Sequence, residues 1–198
     1  MDHLKVGEYV RIGVRVGQLA DTSAIAVVEG EKRALPQDPS QLPVRPKTKD
    51  YYHVRTLKEL PAGTTWPAIA KELTAIVADI KARGGRPSIT ADTTTAPGSV
   101  EAFRDVGAHV RPRSISSGEE KAKLVDRLNL LLQEKRLLLA DTPEARDLAE
   151  DLRNYQPKAE QVRADMPNTI TVGRRDALIT ALSLIVASPL RDKPTLVW

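Results

Sequence analysis

A chain of 198 residues with 41% hydrophobic, 28% charged and only 4% aromatic residues reads as one globular domain, residues 1–198, with a core of Leu, Ile, Val and Ala. A surplus of 30 basic over 26 acidic side chains gives a formal charge of +4, compatible with a nucleic-acid partner and equally with a mildly basic surface. The absence of cysteine excludes disulfides, thiolate metal sites and a cysteine nucleophile. No apolar signal core stands at the start and no run approaches the ~20 apolar residues of a membrane span, so a cytoplasmic protein with no membrane partner is expected.

Val10, Ile12, Val14 and Val16 alternate with Arg11, Gly13, Arg15 and Gly17, the period of a strand with one apolar face. A turn from Gly17 to Ser23 leads into an apolar run, residues 24–28, as its hairpin partner. Pro36, Pro39, Pro43 and Pro46 punctuate a polar stretch, residues 31–50, that reads as a long surface loop. A third strand follows over residues 51–57, with His53 and Arg55 opposite Tyr52 and Val54.

Thr65 as N-cap and Pro67 in the first turn open a helix that buries Ile69, Leu73, Ile76, Val77 and Ile80 and stops at Gly84 and Gly85. Residues 87–91 form a strand ending at Asp92. A Thr/Gly/Pro loop, a short helix over 100–106 and a strand over 110–115 come next. Residues 119–134 make an amphipathic helix with Leu124, Val125, Leu128, Leu131 and Leu132 on its apolar side. Residues 137–139 form a short extended segment, 143–155 a helix buried through Leu148 and Leu152, and Asp176 opens a last helix with Leu178, Ala181, Leu182 and Ile185 inward. The expected fold class is α/β, an antiparallel three-strand meander followed by parallel strands, flanked by helices.

Two acids stand where chemistry is usually placed. Asp92 lies at the carboxyl end of a strand beside a loop, the usual position of a site in an open α/β sheet. Taken alone it is better explained as a turn former. Asp176 in the first turn of a helix has the helix dipole as its ordinary explanation. His3, His53 and His109 have no metal-ligand spacing, so no zinc site is expected. Neither a Gly-x-Ser-x-Gly elbow nor a phosphate-binding Gly-x-x-x-x-Gly-Lys-Ser/Thr loop is present.

In order along the chain, these segments resemble one family. Residues 12–28 resemble the first hairpin of the nuclease domain of phage terminase large subunits, whose RNase H-like fold is shared with integrases and Holliday-junction resolvases. Residues 52–64 look like its third strand and the turn into its first helix. Residues 89–98 look like its second acidic motif, and 110–118 like the strand after it. Residues 123–137 and 150–155 are similar to its later helical region, and 175–182 to its closing Asp-Asp-Leu-x-x-Ala-Leu motif. The resemblance implies a metal-dependent DNA endonuclease in which carboxylates hold two divalent ions, Mg²⁺ or Mn²⁺, to cleave double-stranded DNA of a phage or prophage in a bacterial host cell. It also implies a separate terminase ATPase, a small terminase subunit or a portal as partners, because the chain has no ATPase motif of its own.

Carried over position by position, the resemblance makes Asp92 and Asp176 the catalytic, metal-binding acids. The first acid of the family falls on Arg15, and the first of the closing acid pair on Arg175. Thr95 stands where the family's loop has a glycine. Asp21, in the turn beyond the first strand, is the one nearby acid that could serve as a substitute ligand, although a turn former is the simpler reading. Arg15 is expected to enter the metal pocket and form bidentate pairs with Asp92 and Asp176, leaving no metal there. The alternative is an Arg15 extended to solvent beside a weak two-acid site. Two main functions follow: a nuclease, impaired by Arg15, or an inactive DNA- or protein-binding module. In the second, Arg111, Arg113, Lys121, Lys123, Arg174 and Arg175 would meet phosphates, unless they are simply a solvated face. A resolvase-like nuclease rests on fold analogy alone.

Overall fold

The computed structural model describes residues 9–18, 20–35, 48–115, 117–153 and 176–187. Its elements run β1 (Tyr9–Arg15), β2 (Ser23–Ala34), β3 (Thr48–Leu60), α1 (Trp66–Ala82), β4 (Arg86–Asp92), α2 (Ser99–Ala102), β5 (His109–Arg113), α3 (Gly118–Gln133), β6 (Leu137–Leu138), α4 (Pro143–Arg153) and α5 (Asp176–Val186). The strands form one sheet in the order β5-β4-β1-β2-β3-β6. β1, β2 and β3 are antiparallel neighbours, whereas β4 runs parallel to β1, β5 to β4 and β6 to β3. This is the mixed sheet expected from a meander followed by strand–helix units.

Alternation of side chains across each strand divides the core into two layers. Val10, Ile12, Val14 and Val16 pack with Ile25, Val27, Ile89 and Ala91 against Ile69, Leu73, Val77 and Ile80 of α1. The other face, with Ala24, Ala26, Val28, Tyr52 and Val54, packs against Leu178, Ala181, Leu182 and Ile185 of α5, Val125 and Leu128 of α3, and Leu148 and Leu152 of α4. Every residue of α5 from Ala177 to Val186 is buried, not only one side as its spacing suggests. The helix is sandwiched between the sheet and the outer helices, where a helix that is apolar apart from Thr180 and Ser183 belongs.

Gly13 sets how closely α5 approaches. A Cβ added there would stand 1.8 Å from the Ala181 carbonyl oxygen and 3.0 Å from Ile185 Cγ1. Two residues earlier on the same face, Arg11 Nη1 donates to the Ile185 carbonyl at 2.9 Å. β1 and α5 therefore run antiparallel, with the helix C-terminus at Arg11 and its N-terminus towards Arg15.

The expected 31–50 loop is shorter than its composition suggests. β2 continues to Ala34 and β3 begins at Thr48, so residues 31–34 and 48–50 are paired strand, and 36–47 lie outside the described residues. Polar pairs, across the strands and along β2, replace apolar alternation there. Lys32 Nζ lies 3.7 Å from Asp50, Glu31 accepts from Arg33 at 2.8 Å and meets His53 Nε2 at 3.1 Å, and the Arg33 guanidinium lies 4.2 Å from the Tyr51 ring centre.

Helix ends follow local chemistry, with one exception. Gly84, at φ 79°, donates to the Lys81 carbonyl and Gly85 to that of Ile80, the paired bonds of a Schellman stop. Ser117 caps α3 by accepting from the Glu120 amide at 3.1 Å. Thr65 takes the N-cap position of α1 through its backbone alone, and its side chain makes no capping bond. α2 is shorter than the expected 100–106 because the chain turns after Ala102, where buried Phe103 anchors it.

Candidate active site

The parallel register of β1 and β4 sets Arg15 directly beside Asp92 at the carboxyl ends of both strands. Both side chains fall on the α5 face, because their neighbours Val14 and Ala91 belong to the α1 layer. Asp92 is nearly fully buried, with 3% of its side chain exposed, and Arg15 shows 15%.

The loop after β4 folds back on Asp92. Its Oδ1 accepts from the Thr94 amide at 2.9 Å and from the Thr94 hydroxyl at 2.5 Å. Thr94 is fixed from behind by the Ile115 amide, which donates to its hydroxyl at 2.8 Å. Oδ2 faces Arg15, 3.4 Å from Nη1. That nitrogen has two protons, and both have other acceptors: the Val16 carbonyl at 3.0 Å and Thr95 Oγ1 at 2.8 Å. The pair with Asp92 is therefore a charge contact through one nitrogen rather than the expected bidentate fork. Thr95 in turn donates to the Val16 carbonyl at 3.1 Å, and Gln18 Nε2 donates to the Thr95 carbonyl at 2.9 Å. Arg15 and Thr95 touch each other and form one arrangement.

α5 brings in the second acid. From Gly13 to Arg15 a strand rises about 6.6 Å, and from Ala181 back to Asp176 a helix spans about 7.5 Å. The start of α5 thus stands level with Arg15. Asp176, with 25% of its side chain exposed, does not pair with Arg15 as expected. Lys121 of α3 takes that role, with Nζ 2.5 Å from Asp176 Oδ1 and only 13% of its side chain exposed. Lys121, an expected phosphate contact, is thus ion-paired with Asp176. The missing signal is tertiary, since no local pattern links residue 121 to residue 176.

The remaining expected sites are dispersed. Asp21 is exposed in the β1–β2 turn, where its amide donates to the Gln18 carbonyl at 2.9 Å. Arg111 is exposed on edge strand β5. Arg113 pairs with Glu120 at 3.2 Å and Lys123 with Glu119 at 2.6 Å, so much of the expected basic patch is balanced by acids of α3. Arg174 and Arg175 lie outside the described residues, as does His3.

These residues do not fit a divalent ion. One oxygen of Asp92 is saturated by Thr94, the other faces a guanidinium, and Asp176 is held by an ammonium. No group of three His, Cys, Asp or Glu side chains among the described residues is placed to hold a metal. No described helix is long and apolar enough to cross a membrane.

Comparison with solved structures gives this arrangement its context. The large terminase nuclease from thermophilic phage G20c with bound magnesium superposes with a TM-score of 0.63 at 19% identity, over 94% of this chain and 84% of that one. The Thermus phage P74-26 large terminase nuclease domain gives 0.60 at 19% identity, over 93% and 81%. The HK97 bacteriophage large terminase gives 0.52 at 11% identity, with 93% of this chain on 40% of that one.

The chain has the fold of a large terminase nuclease domain.

No protein-family model matches its sequence, and no curated protein does. The likeness is one of architecture, the RNase H-like mixed sheet with helices on both faces. The G20c nuclease has also been crystallised with bound zinc and with bound cobalt.

Proposed function

We propose that this domain engages duplex DNA without cutting it, as a metal-free form of the terminase nuclease fold. The observation that carries this reading is the Arg15 guanidinium beside buried Asp92, fixed by Thr95 and Val16. A cation held in place there repels a divalent ion and neutralises the carboxylate that would bind it. The fold and the net charge of +4 support a nucleic-acid partner. Arg111, exposed on β5, is the leading candidate phosphate contact; Arg113 and Lys123 would meet phosphate by exchanging their Glu120 and Glu119 partners, and Arg174, outside the described residues, is a candidate from its sequence alone. Such contacts are independent of sequence. The partners are double-stranded phage or prophage DNA and, within a packaging apparatus, a terminase ATPase, a small subunit or a portal in the bacterial cytoplasm.

The second reading is a cleaving enzyme that uses Mg²⁺ or Mn²⁺ at Asp92 and Asp176, with Asp21 as a third ligand. The magnesium-bound G20c nuclease favours it. One assay separates the two readings. Supercoiled plasmid is incubated with the protein and Mn²⁺, and binding is followed in parallel by filter retention in EDTA. Retention in EDTA that weakens log-linearly with salt, together with intact plasmid in Mn²⁺, is the expected result. Nicking by the wild type that disappears in Asp92→Ala would overturn the non-cleaving reading. Loss of retention at low salt would overturn the DNA-binding part.

A further inference from the structure

Arg15 accounts for only one of the two acids. We infer that Lys121 is a second ion-excluding residue, a tethered ammonium that holds Asp176 as a divalent ion otherwise would. This deepens the proposed function and rests on its reading of Arg15.

Four observations place Lys121 in that role. Its Nζ lies 2.5 Å from Asp176 Oδ1, within charge-assisted hydrogen-bond range. It is largely withdrawn from solvent, unlike Lys123 two residues on, whose side chain is 71% exposed. The backbone that carries it is fixed, because Ser117 caps α3 and the Lys121 amide itself donates to the Ser117 carbonyl at 3.1 Å. Both helices are locked as well: Val125 and Leu128 of α3 share a core with Leu178, Ala181 and Leu182 of α5. The acid and its cation are thus presented by rigid elements rather than by adaptable loops.

Among the described residues, the charges paired at the site are then balanced. Arg15 and Lys121 balance Asp92 and Asp176, and the four groups sum to zero. Replacing Lys121 by a neutral residue leaves one negative charge, and replacing Arg15 by Asp leaves two. Both changes together leave three carboxylates and no cation. Affinity of an oxygen site for a hard divalent ion rises with the number of carboxylates and falls with any cation among them. The two cations therefore act together, and reversing Arg15 alone leaves Asp176 occupied.

The test is calorimetric titration of Mn²⁺ alone into five proteins: wild type, Lys121→Met, Arg15→Asp, the double variant and Lys123→Met. Lys121→Met keeps the aliphatic stem, and Lys121→Gln with Arg15→Asp serves as a second double variant should the first not fold, with circular dichroism checking every protein. Wild type and Lys123→Met are expected to give no saturable binding. Affinity is expected to rise from Lys121→Met to Arg15→Asp to the double variant, which binds at least about tenfold tighter than Arg15→Asp. Equal affinity of Arg15→Asp and the folded double variants, with the wild type silent, would overturn the role of Lys121 and leave the proposed function standing. Saturable binding by the wild type, abolished in Asp92→Ala, would overturn the proposed function itself. A gain in Lys123→Met equal to that in Lys121→Met would reduce the effect to general surface charge and also overturn the role of Lys121.

Discussion

Arg15 Nη1 lies between a carbonyl, a hydroxyl and a carboxylate, and its removal changes all three. Arg15→Ala leaves Asp92 buried without that cation, and a loss of about 3 kcal/mol is expected in chemical unfolding. Arg15→Asp puts two carboxylates side by side on neighbouring strands. That variant should melt lower than wild type in EDTA and regain stability as Mn²⁺ is added, whereas the wild-type midpoint should not move. A wild-type midpoint that climbs with Mn²⁺ would contradict the closed site. Tyr52 shows a different balance. Its hydroxyl is buried without a well-formed hydrogen bond among the described residues, and burial, with the Asp50 charge adding to it, pushes its ionisation above the ordinary tyrosine range although the nearby Arg11 and Arg127 guanidiniums pull the other way. Tyr52→Phe keeps the ring and removes the stranded hydroxyl, so denaturant unfolding should find it as stable as wild type or more so, by up to about 1 kcal/mol.

The contact between β1 and α5 turns on one missing side chain. Gly13→Ala drives a methyl group into the Ala181 carbonyl, which is backbone and has no rotamer to escape into. A loss of about 3 kcal/mol or more is expected, with near-normal stability for this variant as the contrary result. The β2–β3 ribbon depends on charges instead. The Arg33 hydrogen bond, with His53 beside it, holds Glu31 down to about 2, below its ordinary 4.5. A carboxyl depressed in this way stabilises the fold above its unfolded pKa, and the contribution is lost as pH falls through the folded value. The stability gap between wild type and Glu31→Gln should therefore be full above pH 4.5, shrink below it and close near pH 2. A gap constant across that range would assign Glu31 another role. The far end of this ribbon is the part of the fold least legible in the sequence. Apolar period-2 patterning located β1 and the start of β2, and helical spacing located α1, α3 and α5 to within a residue or two. Lys32, Arg33, Lys49 and Asp50 carry no apolar alternation, and the backbone ladder that pairs them, with Lys32 against Asp50, leaves no local signal. The Ser117 cap, by contrast, is legible as Ser-x-x-Glu over residues 117–120.

Across the molecule, the overall fold is that known from terminase nucleases, and a cation stands beside each of the two acids, Arg15 by Asp92 and Lys121 by Asp176. The position of Asp92 was legible because a strand ran straight into it, and that of Arg15 because strand periodicity placed it. Lys121 was not, since its partner lies 55 residues away and only the packing of α3 on α5 joins them. The central claim is that internal cations occupy the place of metal ions. Its most direct test is a crystal of the wild type soaked in Mn²⁺ and measured for anomalous scattering. The account predicts no anomalous peak within coordination distance of the Asp92 or Asp176 carboxylates, with Arg15 and Lys121 still paired to them. A peak bridging those two carboxylates, with Arg15 swung away, would contradict it.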